Sequence, residues 1–156
     1  MPPKISPGKV ERWKPERTHA TAWLLARRII LHGDCLTTIG GFACEPYRSI
    51  YERVSDAELG AALLRVLAEA RLIPVPDDIK AVSEKIVRSA NIRLGSELGK
   101  CACCSVVQNQ SEIWILPTRR EGRDFTQMLE LTVRIPTNST PEQVGRALRD
   151  RFQRCK

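Results

Sequence analysis

The sequence predicts an α+β fold, a single domain in which a mainly antiparallel β-sheet packs against α-helices. Three observations lead there. Two segments open on a capping box and continue with apolar residues at helical spacing. The stretch between them alternates short apolar runs with turn-forming residues, the pattern of antiparallel strands. The chain has 156 residues and is 42 % hydrophobic; a chain of this length buries roughly 68–70 % of its extended surface, enough for one core without staples.

Residues 1–18 read as a loose N-terminal arm ahead of a domain spanning 19–156. The arm holds Pro2, Pro3, Pro7, Pro15 and Gly8, and Trp13 is suited to pin it to the body. Ala22 to Leu31 suits either a helix or a strand. Gly33-Asp34 and Gly40-Gly41 tip the balance to two strands, Ala26 to His32 and Cys35 to Ile39, joined by a turn at Gly33-Asp34.

The first helix is expected over 55–71. Ser55 caps it, Glu58 closes the capping box, and Leu59, Leu63, Val66, Leu67 and Ala70 form the inward stripe. Pro74 and Pro76 stop it. A second helix is expected from Asp78 to about Ala90, with Ile79, Val82, Ile86 and Val87 inward. A loop follows over Asn91 to Gly99.

Cys101 to Val107 reads as a strand, with a turn at Gln108-Asn109-Gln110-Ser111 and an antiparallel partner from Glu112 to Leu116 that Pro117 closes. Thr118 to Asp124 is so highly charged that it reads as a loop around Gly122. Phe125 to Ile135 then alternates Leu129, Leu131, Val133 and Ile135 with polar residues, the period of a half-buried strand. The last helix, over 140–154, opens on Thr140-Pro141-Glu142-Gln143 and turns Val144, Ala147, Leu148, Phe152 and Cys155 inward.

The first and last helices share a sequence. Ser55-Asp-Ala-Glu-Leu-Gly-Ala-Ala-Leu aligns with Thr140-Pro-Glu-Gln-Val-Gly-Arg-Ala-Leu, so Gly60 matches Gly145. A glycine inside a helix costs about 1 kcal/mol against alanine. Two at one register imply that each helix crosses something closely, most simply a sheet face, and suggest an internal β/α pseudo-repeat.

Charge and cysteines narrow the class. Lys and Arg number 25 against 18 Asp and Glu, a formal +7, with a pI of about 9.4. Such a charge serves solubility as readily as nucleic-acid binding. There is no apolar run of about 20 residues to span a membrane. Met1-Pro2-Pro3-Lys4 does not open a signal peptide, which points to the cytoplasm. Among the six cysteines, Cys101-x-x-Cys104 has knuckle spacing. It lies in an expected strand, however, where Cys103 and Cys104 face opposite ways, and it has no second pair. Cys155 falls on an apolar stripe. These cysteines read as buried thiols, with no metal site.

No catalytic or cofactor motif emerges. The two histidines, His19 and His32, lack ligand spacing. His32 with Asp34 resembles an acid and its orienter, but neighbouring residues of this kind are ordinary in a turn. Gly40-Gly41 is not followed by Lys-Ser or Lys-Thr, so no phosphate loop is present. Arg119-Arg120-Glu121-Gly122-Arg123 is the best basic cluster outside the tail. It suits a solvated turn or a protein-contact loop, where arginine and tryptophan are favoured.

Ile113-Trp114-Ile115-Leu116-Pro117, a charged loop, Phe125 and the strand Leu129 to Ile135 run straight into Pro136-x-x-Ser139-x-x-Glu142-x-x-Gly145-x-Ala147-Leu148, ending at Arg154-Cys155. Together with Asp56-x-Glu58-Leu59-Gly60-x-Ala62-Leu63-Leu64, this pattern resembles the immunity proteins of bacterial contact-dependent growth inhibition systems, the CdiI family, formerly a domain of unknown function. The resemblance spans roughly residues 29–155. It implies a small, cytoplasmic, non-enzymatic inhibitor without cofactor. Such a protein binds and neutralises the cognate C-terminal toxin domain of a large secreted surface protein, often a nuclease and in many systems one that cuts tRNA. It implies no residue-level interface. The expected contacts come from composition: Trp114, Arg119, Arg120 and Arg123, with Asp56 and Glu58 at the first helix cap as an acidic alternative, extended by Glu45, Glu52 and Asp77-Asp78. A monomer or weak dimer is expected when free, with neither membrane nor nucleic acid as partner. The competing class is a small basic cytoplasmic nucleic-acid-binding module, which would bind RNA or DNA with steep salt dependence.

Overall fold

The computed structural model describes residues 16–37, 40–89, 101–122 and 124–156. The arm up to Pro15, the loop at Asn91 to Gly99 and Arg123 lie outside them. The order of elements is β1 (Thr18–Leu24), β2 (Arg28–Thr37), β3 (Gly40–Tyr51), α1 (Asp56–Leu72), α2 (Ile79–Ser89), β4 (Ala102–Gln108), β5 (Glu112–Glu121), β6 (Asp124–Gln127), β7 (Val133–Pro136) and α3 (Pro141–Phe152), with a 3-10 turn at Leu129–Leu131.

The strands form one seven-stranded sheet in the order β3-β2-β1-β4-β5-β6, with β7 also on β5. Every pairing is antiparallel. β5 is the long element that joins the second half. Its first residues pair with β7 and its last, Thr118 to Glu121, with β6.

The α+β architecture and all three helices follow the sequence closely, because their caps are local chemistry. Ser55 Oγ accepts the Glu58 N–H at 3.1 Å while the Glu58 carboxylate accepts the Ser55 N–H at 3.2 Å. Thr140 and Gln143 repeat the exchange at α3. Both helices lie on one face of the sheet, α1 against β1–β3 and α3 against β4, β5 and β7. They bury Leu59, Leu63, Val66, Leu67, Val144 and Leu148 against Ala20, Ala22, Ile29, Leu31, Val106, Ile113 and Ile115.

Four sequence expectations are corrected. Gly33-Asp34 is not a turn: β2 continues through it, with a shift of the β3 register between His32 and Gly33, and the β1–β2 turn lies at Leu25 to Arg27. Gly33 is there for packing, since a Cβ would come within 2.7 Å of the Glu45 carbonyl and 3.0 Å of Ala70 Cβ. The charged segment after Pro117 is strand, and Gly122, with φ of 64°, makes the hairpin turn into β6. The long strand expected over Phe125 to Ile135 is broken into β6, the 3-10 turn and β7, which leaves Leu129 69 % exposed. The helical glycines pack on each other's helices and not on the sheet.

Candidate functional site

Strand alternation sends every second side chain of the sheet away from α1 and α3. Directly paired residues share a face, so the register builds rows across this second surface. His19, Val107, Trp114 and Arg134 form one row over β1, β4, β5 and β7. His32, Thr21, Ser105 and Leu116 form the next. Over these rows opens a cavity of about 430 Å³ walled by Trp23, His32, Asp34, Phe42, Ile86 and Phe125. Phe125 reaches it because β6 folds back from β5. Its ring meets Trp23 edge-on with centroids 5.2 Å apart. α2 supplies the opposite wall through Ile86 and Val87.

The floor of the cavity is polar and ordered. Trp23 Nε1–H donates to His32 Nε2 at 3.0 Å. His32 Nδ1 lies 3.2 Å from Asp34 Oδ1 and 3.0 Å from the Gly33 carbonyl. Thr21 donates its hydroxyl to the other Asp34 oxygen. Burial pulls the imidazole pKa down. The Asp34 carboxylate, by charge and by hydrogen bond, with help from the Gly33 carbonyl, outweighs that and leaves it above the ordinary histidine value. The indole acts the other way: a donor facing Nε2 requires that nitrogen to be unprotonated. In this geometry the ring carries its proton on Nδ1, between two oxygens, and charging it costs the Trp23 bond.

The residues singled out in the sequence separate into two groups. Trp114 stands on the open face, its ring beside the guanidinium groups of Arg17 at 5.3 Å and Arg134 at 4.6 Å, and its Nε1–H donates to Glu112 at 2.7 Å. Arg119 and Arg120 lie further along β5, Arg119 exposed beside Glu121 and Arg120 paired with Phe125 at the cavity rim. Arg123 is outside the described residues. Asp56 and Glu58 are on the other side, at the α1 start. Glu58 is committed to the capping box. Asp56 takes Arg149 at 2.8 Å and Arg146 at 3.8 Å, so that end of the molecule carries compensated charge.

The pocket residues are not among those that the sequence points to as contacts. In the sequence His32 closes a strand and Asp34 sits in the expected turn, while Trp23 lies in the stretch open to helix or strand. The period-2 pairs Thr21-x-Trp23 and His32-x-Asp34 were the available signal: on one strand each, they fall on a common face.

Among the described residues no cluster of three or more His, Cys, Asp or Glu is set to hold a metal ion. No described helix is long and apolar enough to cross a membrane.

The fold is shared with solved structures. A protein of unknown function from Neisseria meningitidis superposes with a TM-score of 0.73 at 17 % identity, covering 92 % of this chain and 98 % of that one. A chain of the CdiA-CT/CdiI toxin and immunity complex from Yersinia pseudotuberculosis gives 0.71 at 18 %, covering 95 % and 100 %. No curated protein matches the sequence. The family model that matches is that of the CDI immunity protein, over residues 45–155. That segment runs from β3 through both capped helices to the C-terminal tail, most of the chain, and the protein belongs to the CdiI family of CDI immunity proteins.

Proposed function

We propose that this protein neutralises the C-terminal toxin domain of its own contact-dependent growth inhibition system, in the cytoplasm, by seating part of that domain on the open face of the sheet. The observation that carries the proposal is the joint presence, on one face, of an aromatic-walled cavity and the Trp114 row beside it. The opposite face is filled by α1 and α3. Aromatic anchors and arginines around a pocket are the composition of binding hot spots.

The charge follows from the same geometry. Arg17, Arg120 and Arg134 flank the face, so the toxin surface that meets it is acidic. The α1 cap, with its acids already paired, is a poorer site. The inhibitor works by masking and takes no part in chemistry, and the toxin class in keeping with the family is a nuclease. A nucleic-acid module would need open aromatic faces for base stacking, whereas Trp114 has arginines beside its ring and Trp23 is packed on Phe125.

The test is co-expression with the toxin domain encoded next to this gene, together with a binding titration of the two purified proteins. Growth rescue and a tight one-to-one complex are expected. Unchanged toxicity, or steep salt-dependent binding to RNA in place of the toxin, would overturn the proposal.

A further inference from the structure

Cys104 and Cys155 come from distant parts of the chain, yet their sulfurs are 3.7 Å apart. Cys104 is wholly buried in the middle of β4, and Cys155 is half-buried just past the end of α3. The approach does not depend on a swinging tail. The Cys155 N–H donates to the Phe152 carbonyl at 3.2 Å. Lys156 is paired to β5 on both sides, its N–H to Thr118 O at 3.2 Å and its carbonyl from the Arg120 N–H at 2.9 Å. The last residue behaves as a strand residue, and it fixes its neighbour's sulfur over β4.

We propose that Cys155 and Cys104 form a peroxide-oxidisable pair that closes to a disulfide, stapling the end of α3 to the centre of the sheet. In the first step the Cys155 thiolate sulfur attacks one oxygen of hydrogen peroxide. The O–O bond breaks, and the other oxygen leaves as hydroxide, giving a sulfenic acid. In the second step the Cys104 sulfur attacks the Cys155 sulfur. The S–S bond forms, the S–O bond breaks, and the oxygen departs as water with the Cys104 proton. Overall the pair loses two electrons and two protons, and one peroxide becomes two waters. The sulfurs must close to about 2.05 Å, a movement of side-chain size.

The roles follow from the surroundings. The contact with the Cys104 thiol outweighs partial burial and lowers Cys155 to about 7, while the Cys155 thiol donates to the Cys103 carbonyl at 3.2 Å and the Arg151 carbonyl at 3.4 Å. The same contact and full burial push Cys104 up, so it remains the thiol; Arg151 is the charged group near it. Cys155 meets the oxidant because it is the half-buried partner that solvent can reach, whereas Cys104 is wholly buried. Cys35 and Cys44 form a second close pair, but both are buried, at 0 % and 2 % exposure, and the Cys44 thiol is pushed up by its contact with Cys35 and by burial.

The experiment treats the full chain with equimolar hydrogen peroxide, removes the peroxide, unfolds the chain in guanidinium chloride, alkylates the remaining thiols and maps them by mass spectrometry without reduction. Two of the six cysteines are expected to escape alkylation, as a Cys104–Cys155 cross-linked peptide. The link closes a long loop, so thermal unfolding should rise by about 5–15 °C and fall back with dithiothreitol. Cys155→Ser should keep its other thiols alkylatable after the same exposure. Cys104→Ser should stop at a Cys155 sulfenic acid that dimedone traps. Full alkylation of both cysteines after peroxide, or earlier closure of the Cys35–Cys44 pair, would overturn the proposal.

Discussion

Gly60 and Gly145 lie where α1 and α3 cross, each against the other helix's first turn. A Cβ on Gly60 would strike the Pro141 carbonyl, and one on Gly145 would strike that of Asp56. The offset of 85 residues that carries Gly60 to Gly145 also carries Asp56 to Pro141. The contact is reciprocal, and the likeness of the two helix sequences has a spatial counterpart. Alanine at either position gains about 1 kcal/mol of helix propensity but must push two backbones apart, an overpacking that costs about 1–3 kcal/mol or more. Gly60→Ala and Gly145→Ala are expected to lower the urea midpoint. The double variant should lose less than the sum, because one separation of the helices accommodates both methyls. A rise in midpoint for either variant would refute the crossing.

Arg149 closes the same crossing from its exposed side. Its guanidinium reaches Asp56 and the backbone carbonyls of Glu52 and Val54. Removing it leaves those acceptors without their donor, so Arg149→Ala should cost about 1–3 kcal/mol. Arg149→Lys should recover little of that, since an ammonium cannot serve three acceptors set around a planar fork. Chemical denaturation of the three proteins checks this; equal stability of the lysine variant and the wild type would show that charge alone matters.

Legibility in the sequence followed the range of the forces involved. Ser55/Glu58 and Thr140/Gln143 were readable because a capping box is contained in four residues. Gly60 and Gly145 announced close approach, but not to what, because the partner is set by the crossing of two helices far apart in the chain. Gly33 carries the local signature of a turn, yet its lack of a side chain makes room for the Glu45 carbonyl and Ala70, neither of which is a sequence neighbour. Arg119-Arg120-Glu121 looked like a loop because its charges are solvated; it is strand because β6 pairs with it. The strand that carries Trp114 is legible from its apolar run between Ser111 and Pro117. The His32 pocket is not, since it needs the β1–β2 register to bring Trp23 and Thr21 beside His32 and Asp34.

His32 should make stability depend on pH. Its folded pKa lies above the ordinary value because Asp34 outweighs burial. The stabilisation is then fully present below the unfolded histidine pKa of about 6.5 and is lost as pH rises through the folded value. Asp34→Asn removes the carboxylate and should bring the ring's titration, followed by its NMR shifts, to lower pH, and it should flatten the pH dependence of the unfolding midpoint relative to wild type. An unchanged titration would mean that the Trp23 N–H, and not Asp34, governs the ring.

The proposed docking face and the α1 cap make opposite predictions for two pairs of charges. Trp114→Ala should weaken toxin binding by about 2 kcal/mol or more, roughly 30-fold, as truncation of a central aromatic anchor does, while costing the fold little because the ring is only half-buried. Arg119→Glu with Arg120→Glu should chiefly slow association and reverse its response to salt, the signature of a rim charge. Glu58→Ala and Asp56→Asn act on a helix cap and on the Arg149 pair, so they should lower stability by about 1 kcal/mol and leave the affinity of the folded protein for toxin unchanged. Surface-binding kinetics at two salt concentrations, read beside thermal midpoints, separate the cases. Loss of affinity confined to the Asp56 and Glu58 variants would move the interface to the other side of the molecule.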